Sequence, residues 1–355
     1  MQVNPAKKIR LYDLSSDELV DFAVSIGEKP YRGHQLASWL FRKGADDLEQ
    51  MTDISRKVRS KISETATSQS LLKPISVDLS PDGSIRILWE LSDDEKVESV
   101  VLPERDHLTL CLSTQVGCRM GCRFCRTGTL GLTRNLSPGE ILGQIVEAKK
   151  IITHPLPLTN LVFMGMGEPL ENAENTLKSI AVITDPALMA FSMRRISVST
   201  VGVIPELKRL SSSGGISVGL TISLGSATDE IRSSIMPVNK AWPIAELKQV
   251  LLNFPLQRGR RLTFAYVLLK DVNDSPQQAQ ALSRFLGGLK AKVNLIPFNP
   301  WPQAPFQSPS QDAVDAFKKV LTDKHHTVIV RRSKGQSIGA ACGQLAAEIT
   351  KKDSD

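Results

Sequence analysis

Three cysteines lie within eight residues of the run CRMGCRFC, at Cys118, Cys122 and Cys125. A cubane iron–sulfur cluster is usually held by four cysteine thiolates, and no fourth cysteine lies close to this run. The CxxxCxxC spacing therefore predicts a [4Fe-4S] cluster with one iron open to a small molecule. A zinc site with three cysteines and a distant fourth ligand is the alternative, although structural zinc sites favour paired CxxC motifs.

The chain has 355 residues, of which 41% are hydrophobic and 23% charged, and this composition is typical of a globular protein. No apolar run approaches a membrane span, and the N-terminal residues lack the apolar core and cleavage site of a signal peptide. We therefore expect a cytoplasmic protein with no membrane partner. The formal net charge of +7 is compatible with a polyanionic partner but does not require one.

The sequence predicts four parts. Residues 1–72 have the pattern of a small helical accessory domain, with a capping box at Ser15 to Glu18 and further helices over 33–43 and 54–65. Short β-like runs then predict a β linker over 73–104. Strands that alternate with helices over 105–300 predict an α/β fold with a parallel sheet or a barrel, and the family resemblance described below implies a partial (βα)6 barrel. Residues 301–355 form a C-terminal extension.

Seven strands are predicted from residue 108 onward, over 108–114, 160–164, 195–200, 217–224, 262–269, 292–298 and 326–332. Several of them alternate apolar with small polar residues, as in LTLCLST and RISVST. Strands of a parallel sheet are usually apolar on both faces. A polar inner face indicates a barrel that holds a polar ligand, with Cys111 on that face.

The cysteine run follows the first barrel strand, at the end where barrel enzymes place their active sites. After the second strand comes GMGEP, whose glycines allow close approach of a ligand and whose Glu168 can accept hydrogen bonds from an amine. These features resemble radical S-adenosylmethionine (SAM) enzymes. The runs VGCRMGCRFC, FMGMGEPL, ISVST, NLIPFNP and AACGQL, in this order, are similar to the RlmN/Cfr family of adenosine methylases, and KPYRGHQLASWLFRKG resembles its helical accessory domain.

The resemblance implies an RNA methyltransferase that uses a [4Fe-4S] cluster on Cys118, Cys122 and Cys125 and two SAM molecules per turnover. Cys342 would take a methyl group from one SAM and become S-methylcysteine. A 5′-deoxyadenosyl radical from the second SAM would remove hydrogen from that methyl group, and the methylene radical would add to carbon 2 of an adenine. Glu98 would accept the proton of that carbon, and Cys111 would attack Cys342 to form a disulfide and release the product.

The family pattern also implies the SAM contacts of this chain, which are Gly167, Glu168, Ser199, Ser223, Leu224, Gly225 and Asn299. One position departs from the pattern. Where the family usually has SLHAP after the fourth strand, this chain has SLGSA, with Gly225 in place of the histidine. If the histidine side chain helps to hold SAM, the affinity is lower here; if only its backbone contributes, Gly225 is harmless.

The implied substrates are an adenosine in the peptidyl transferase centre of 23S rRNA and, as a second substrate, the adenosine next to the anticodon of tRNA. An electron donor such as flavodoxin and a monomeric state are further expectations. Two alternatives stay open. One is methylation at carbon 8, as in Cfr, and the other is an iron–sulfur RNA-binding or redox-sensing protein without catalysis. The presence of Glu98, Cys111 and Cys342 favours catalysis, since a sensor needs none of them.

Overall fold

The computed structural model describes residues 8–331 and 333–347. The outer ends of the predicted segments 1–72 and 301–355, and Arg332 at the end of the last predicted strand, lie outside the described residues. Within the described part, none of the helices is both long and apolar enough to cross a membrane.

A helical unit comes first, and it begins with the expected capping box. The Ser15 side chain accepts from the Glu18 N–H, and the Glu18 carboxylate accepts from the Ser15 N–H, so α1 starts with two of its free donors satisfied. The helix predicted over 33–43 begins at Tyr31, two residues earlier than expected, and it ends as a π-helical turn. The elements are β1 (Ile9–Arg10), α1 (Ser16–Ser25), α2 (Tyr31–Ala37), the π turn Ser38–Arg42, α3 (Arg56–Thr65) and β2 (Ala66–Thr67), with single 3₁₀ turns at Leu11–Asp13 and Leu48–Gln50.

One ten-stranded mixed sheet forms the centre of the molecule, in the order β14-β13-β12-β11-β10-β9-β6-β5-β4-β3. Its antiparallel part is β3 (Leu72–Leu79), β4 (Ile85–Leu91) and β5 (Lys96–Pro103). Its parallel part is β6 (Leu108–Cys111), β9 (Leu158–Phe163), β10 (Ile196–Thr200), β11 (Gly219–Ser223), β12 (Leu262–Leu268), β13 (Ala291–Pro297) and β14 (Val328–Val330). A separate hairpin pairs β7 (Gln115–Cys118) with β8 (Gly131–Asn135).

The α/β barrel expectation is confirmed, because β6 and β9 to β13 are six parallel neighbours with helices in the connections. The helices are α4 (Arg126–Thr129), α5 (Pro138–Ile151), α6 (Ala173–Thr184), α7 (Ile204–Ser212), α8 (Asp229–Ile235), α9 (Ile244–Leu252), α10 (Pro276–Leu286) and α11 (Gln311–Asp323). Short 3₁₀ turns lie at Met193–Arg195, Pro237–Lys240 and Gln336–Ile338. The segment expected as a linker continues the same sheet, since β5 pairs antiparallel with β6. The division into four parts stays a prediction.

The two faces of the barrel strands differ as the alternation predicts. In β10, Ile196 and Val198 are buried under the helices, while Ser197 and Ser199 on the other face are only partly buried. The first strand is shorter than predicted and ends at Cys111. Residues beyond it stay bonded to their neighbours, because the Leu112 N–H donates to Val162 and the Thr114 N–H to Met166. The polar face therefore continues into the loops that carry the site.

Candidate active site

The three clustered cysteines surround one end of a cavity between the barrel strands. Cys118 ends β7, Cys122 lies in the following turn and Cys125 immediately precedes α4. All three line the same cavity, together with the GMGEP turn after β9. We call it the cluster cavity; its wall includes Cys118, Cys122, Cys125, Gly167, Glu168, Ser199, Ser223, Gly225, Asn299 and Cys342.

The cysteine thiols need a strong positive partner before they can ionise. Burial raises the pKa of Cys118 to about 12, and it raises the pKa of Cys122 and Cys125 as well. A bound metal deprotonates such thiols outright. Among the described residues, no group of three or more His, Cys, Asp or Glu side chains is arranged to hold one metal ion. Three thiols along one cavity wall fit a cluster, which takes one thiolate on each of three irons.

Six of the seven predicted SAM contacts lie on the wall of the cluster cavity. Ser199 and Ser223 stand on neighbouring strands, and their hydroxyls lie 3.1 Å apart. Leu224 does not belong to the wall. Its side chain is fully buried, its N–H donates to Ala265, and its carbonyl oxygen accepts from Arg232. The structure thus brings the predicted contacts together apart from Leu224, whose polar backbone atoms are already paired.

Glu168 is held rigidly at the base of the cavity. Its carboxylate accepts from the Leu170 N–H at 3.1 Å and from the Val201 N–H at 2.9 Å. Burial raises its pKa to about 7, against the opposing effect of these hydrogen bonds. Gly167 has φ +101°, and a Cβ there would lie 2.6 Å from the Gln115 Cβ. The turn therefore requires glycine, and it leaves the backbone open to a ligand.

Gly225 has a backbone conformation that few other residues adopt. Its φ is +69°, and a Cβ at this position would lie 2.5 Å from the Met236 sulfur. Met236 is fully buried and does not line the cluster cavity. A side chain at position 225 would thus start away from the cavity, so Gly225 contributes to this wall through its backbone.

Cys342 lies where the cluster cavity meets a second cavity of about 460 Å³. We call the second one the Cys111 cavity; its wall includes Thr109, Cys111, His107, Asn160, Arg331, Lys334 and Cys342. Cys342 is exposed, whereas Cys111 is buried. Burial raises the pKa of the Cys111 thiol. Surrounding protein atoms also keep water from the Cys342 sulfur and raise its pKa, although the residue as a whole is exposed, and the Arg331 charge opposes the rise at both thiols. The two cysteines outside the cluster run therefore share one cavity.

Hydrogen bonds hold residues 333–347, which we call the Cys342 loop, in this conformation. The Asn299 amide donates to the Cys342 carbonyl oxygen at 3.0 Å, and Asn299 accepts from Gln336 at 2.8 Å. The Thr127 hydroxyl donates to Leu345 at 2.7 Å. Asn299, expected to contact SAM, thus also positions Cys342.

Glu98 lies on β5, on the strand face that Val100 and Leu102 present to the Cys111 cavity. Its carboxylate is fully buried and does not itself line either cavity. It accepts from Arg86 at 3.1 Å and from the Ala346 N–H at 3.1 Å. Burial raises the pKa of Glu98, and Arg86 opposes that rise. In the register that pairs Val100 with Cys111, Glu98 lies two residues before Val100 on the same face of β5.

Two arginines that position the site were not predicted. Arg86 on β4 joins Glu98 to Asp78, with a 2.8 Å ion pair to the latter. Arg232 on α8 donates to Val201 at 2.7 Å and to Leu224 at 2.9 Å, so it ties the ends of β10 and β11 together. Burial lowers the pKa of Arg232 to about 10. An arginine inside an apolar strand, as in SIRILWEL, is the signal that could have indicated the first of them.

Comparison with known proteins shows the family to which this chain belongs. A family model described as the N-terminal domain of ribosomal RNA large subunit methyltransferase matches residues 9–67, and the Radical SAM superfamily model matches residues 112–279. The solved structure of a radical SAM methyltransferase from Sphaerobacter thermophilus is 40% identical, with a TM-score of 0.90 over 96% of this chain and 100% of that one.

Curated relatives extend the likeness over nearly the whole chain. The dual-specificity RNA methyltransferase RlmN of Geobacter sulfurreducens is 45% identical over 96% of this chain and 93% of its own length. The protein of the same name from Anaeromyxobacter dehalogenans is 44% identical over 95% and 92%. The fold and the cluster cavity define a radical SAM enzyme, a class that uses a [4Fe-4S] cluster and SAM. The chain belongs to the RlmN family of radical SAM methyltransferases.

Proposed function

We propose that this enzyme methylates carbon 2 of an adenosine in 23S rRNA and of the adenosine next to the anticodon in tRNA, through S-methylcysteine at Cys342. The observation that carries the proposal is the position of Cys342 on the wall of both cavities. A thiol there can receive a group in the cluster cavity and present it in the Cys111 cavity. The names of the relatives, which are dual-specificity RNA methyltransferases, support RNA as the substrate class.

When bound, the cluster and two SAM molecules would supply the methyl group, the 5′-deoxyadenosyl radical and the path for the electron that the RNA adduct gives up. The chain supplies the remaining groups. Cys342 carries the methyl carbon to the target adenine. Glu98 accepts the proton from carbon 2 once its buried carboxylate gives up the hydrogen bond from the Ala346 N–H and opens to the Cys111 cavity. Arg86 stabilises the ionised form of Glu98, as a base requires.

Cys111 releases the product. Its thiolate attacks the Cys342 sulfur, the sulfur–carbon bond breaks, and the methylated base leaves with the electron pair and takes up a proton. The new disulfide then needs two electrons from a dithiol reductant before the next turnover. Burial raises the pKa of Cys111, so the thiol must lose its proton to a nearby group at this step.

The working partners follow from this chemistry. The cluster needs a one-electron donor such as flavodoxin, and the thiol cycle needs a reducing compartment, so we place the enzyme in the cytoplasm. We propose that it acts as a monomer, because both cavities are built from residues of one chain.

The test is Cys111→Ala, purified from cells and compared with Cys111→Ala/Cys342→Ala. Without the attacking thiol, the single variant should carry RNA linked covalently to Cys342, and the double variant should carry none. Mass spectrometry of nuclease-treated protein identifies the linked residue. Recovery of RNA-free Cys111→Ala with full activity would refute the mechanism.

The position of methylation needs its own measurement. Nucleosides from rRNA and tRNA of a deletion strain, with and without the restored gene, should differ in 2-methyladenosine. Gain of 8-methyladenosine alone would establish the carbon 8 activity, and equal levels of both methylated nucleosides with and without the restored gene would support the sensor alternative.

A further inference from the structure

A third cavity opens at the end of the barrel opposite the active site. Its wall contains the residues at the N-terminal ends of four parallel strands, which are Ile196, Gly219, Thr263 and Lys292. The cysteine run and the GMGEP turn follow the C-terminal ends of their strands. The volume of this cavity is about 1050 Å³, more than twice that of the Cys111 cavity. We call it the basic cavity.

Its wall carries positive charge without any counter-charge. Five basic side chains line it, and no Asp or Glu does; the five are Arg194, Arg258, Arg260, Arg261 and Lys292. Within the described part of the chain, no ion pair involves any of these five. Other surface cations are neutralised, as Arg209 is by Glu206 and Lys208 by Glu246. The positive charge is therefore concentrated at this place.

Part of this charge is held in place by the fold. Arg260 donates to the carbonyl oxygens of Met193 at 2.9 Å and Ser217 at 3.2 Å, and Arg261 donates to the Thr327 hydroxyl at 3.2 Å. Burial and the charge of Arg194 lower the pKa of Arg260. Like charges fixed close together raise the free energy of the folded chain, and a bound polyanion removes that cost.

We propose that the basic cavity binds the phosphate backbone of the RNA substrate at a segment distant from the adenosine that is methylated. This inference rests on the proposed function, which makes the substrate a folded RNA. A strand of seven residues such as β12 is about 23 Å long, so one nucleotide cannot occupy both ends of the barrel. A folded RNA is long enough to reach both, and such RNA is recognised largely through its shape and its phosphates.

The charge of the wall favours RNA over a small anion. A single phosphate needs only a few donors, whereas five cations around a wide opening match several successive phosphates. Each phosphate contact releases counterions, so the logarithm of the binding constant falls with the logarithm of the salt concentration by roughly 0.7 to 0.9 per contact.

The test uses the variant Arg194→Gln/Arg258→Gln/Lys292→Gln, which neutralises the three cations whose side chains make no hydrogen bond or ion pair with the described part of the chain. The control, Lys208→Gln/Arg209→Gln/Lys319→Gln, changes the net charge equally at paired surface positions. Binding of full-length tRNA is measured over a range of KCl concentrations, and binding of a short hairpin with only the target loop is measured beside it.

The salt slope is the decrease in the logarithm of the binding constant per unit of the logarithm of the KCl concentration. For full-length tRNA, we expect this slope to fall by about 2 to 3 in the basic-cavity variant and by less than 1 in the control. The hairpin should bind both variants as it binds the wild type. The KM for tRNA should rise while kcat and SAM binding stay unchanged. An unchanged slope in the basic-cavity variant, or an equal change in the control, would overturn the inference. Loss of inorganic phosphate binding with an unchanged RNA slope would also overturn it.

The inference can fail while the proposed function stands. If the wild type methylates RNA and the basic-cavity variant has the same salt slope and KM, only the distant contact is wrong. If the wild type methylates no RNA at all, the proposed function itself fails.

Discussion

At the scale of the residue, Gly225 has a backbone conformation that bears on the question left open by its sequence. A side chain there would begin beside the buried Met236 sulfur, away from the cluster cavity. The prediction that this position contacts SAM through its backbone alone is consistent with this geometry and stays a prediction.

Gly225→His should lower stability without tightening SAM binding. The left-handed backbone and the contact with Met236 together cost about 2 kcal/mol or more. Gly225→Ala and Gly259→Ala form a matched pair, because Gly259 has φ +81° but open space around it. Urea unfolding should show a larger loss for Gly225→Ala than for Gly259→Ala, and calorimetry should show SAM affinity for Gly225→His no higher than the wild type. A tighter complex would contradict this geometry.

The sequence predicts these residues unequally. The cysteine run can be recognised from its spacing alone, whereas the roles of Cys111 and Cys342 are predicted only from the family resemblance. Arg86 was not predicted, because its partner Glu98 lies on another strand and only the strand register brings the two together. Contacts of this kind have no local pattern that a sequence displays.

At the scale of the element, the Cys342 loop is attached to several separate parts of the fold. Gly335 and Ser337 bond to the β3–β4 turn, Gly343 to α4, Gln344 to the chain after β13, and Ala346 to Glu98 on β5. The turn residue Asp82 accepts from the Gly335 N–H at 2.8 Å. Burial alone would raise the pKa of Asp82, but hydrogen bonds from Gly335 and Ser84 lower it to about 2, so it is ionised at neutral pH.

Asp82→Ala should loosen the Cys342 loop and slow methylation. The lost charge-assisted hydrogen bond is worth about 1.5 to 3 kcal/mol. Hydrogen exchange over residues 333–347 should rise, and the methylation rate should fall severalfold, while cluster absorbance stays unchanged. Asp21→Ala, at an exposed position of α1, is the control for lost charge. Equal exchange in both variants would show that this bond does not hold the loop.

The positions of the strands along the chain were predicted more closely than the pairing between strands. The barrel strands begin or end within a few residues of the expected bounds, because their apolar alternation is a local signal. The pairing of β5 with β6, which joins the antiparallel part to the barrel, was not predicted. Partner choice between strands depends on tertiary packing, which single runs of sequence do not encode.

At the scale of the whole molecule, the N-terminal unit packs closely against the barrel helices. The Asp13 carboxylate accepts from the Gly139 N–H of α5 at 2.9 Å, and Lys150 pairs with Asp46 at 2.9 Å. A Cβ at Gly139 would lie 2.9 Å from the Tyr12 backbone carbon. This glycine therefore sets how close the two parts approach.

Gly139→Ala should weaken the contact between the N-terminal unit and the barrel, whereas Gly143→Ala should do so much less. Both lie on α5, where alanine favours the helix by about 1 kcal/mol. The new Cβ meets backbone at Gly139 but the end of the Leu72 side chain at Gly143. The midpoint of thermal unfolding should be lower for Gly139→Ala, with faster proteolysis near residues 66–72. Equal midpoints for the two variants would contradict the close approach.

The position of the Cys342 loop after β14 has a consequence for synthesis on the ribosome. All ten strands of the sheet and the three cysteines of the cluster run come before residue 331 in the chain, so a nascent chain holds the parts of the radical site before it holds a methyl acceptor. Under the proposed function, a chain that stops there has no Cys342 with which to form a covalent link to RNA. Premature termination would yield a protein that leaves RNA unmodified rather than one that traps it.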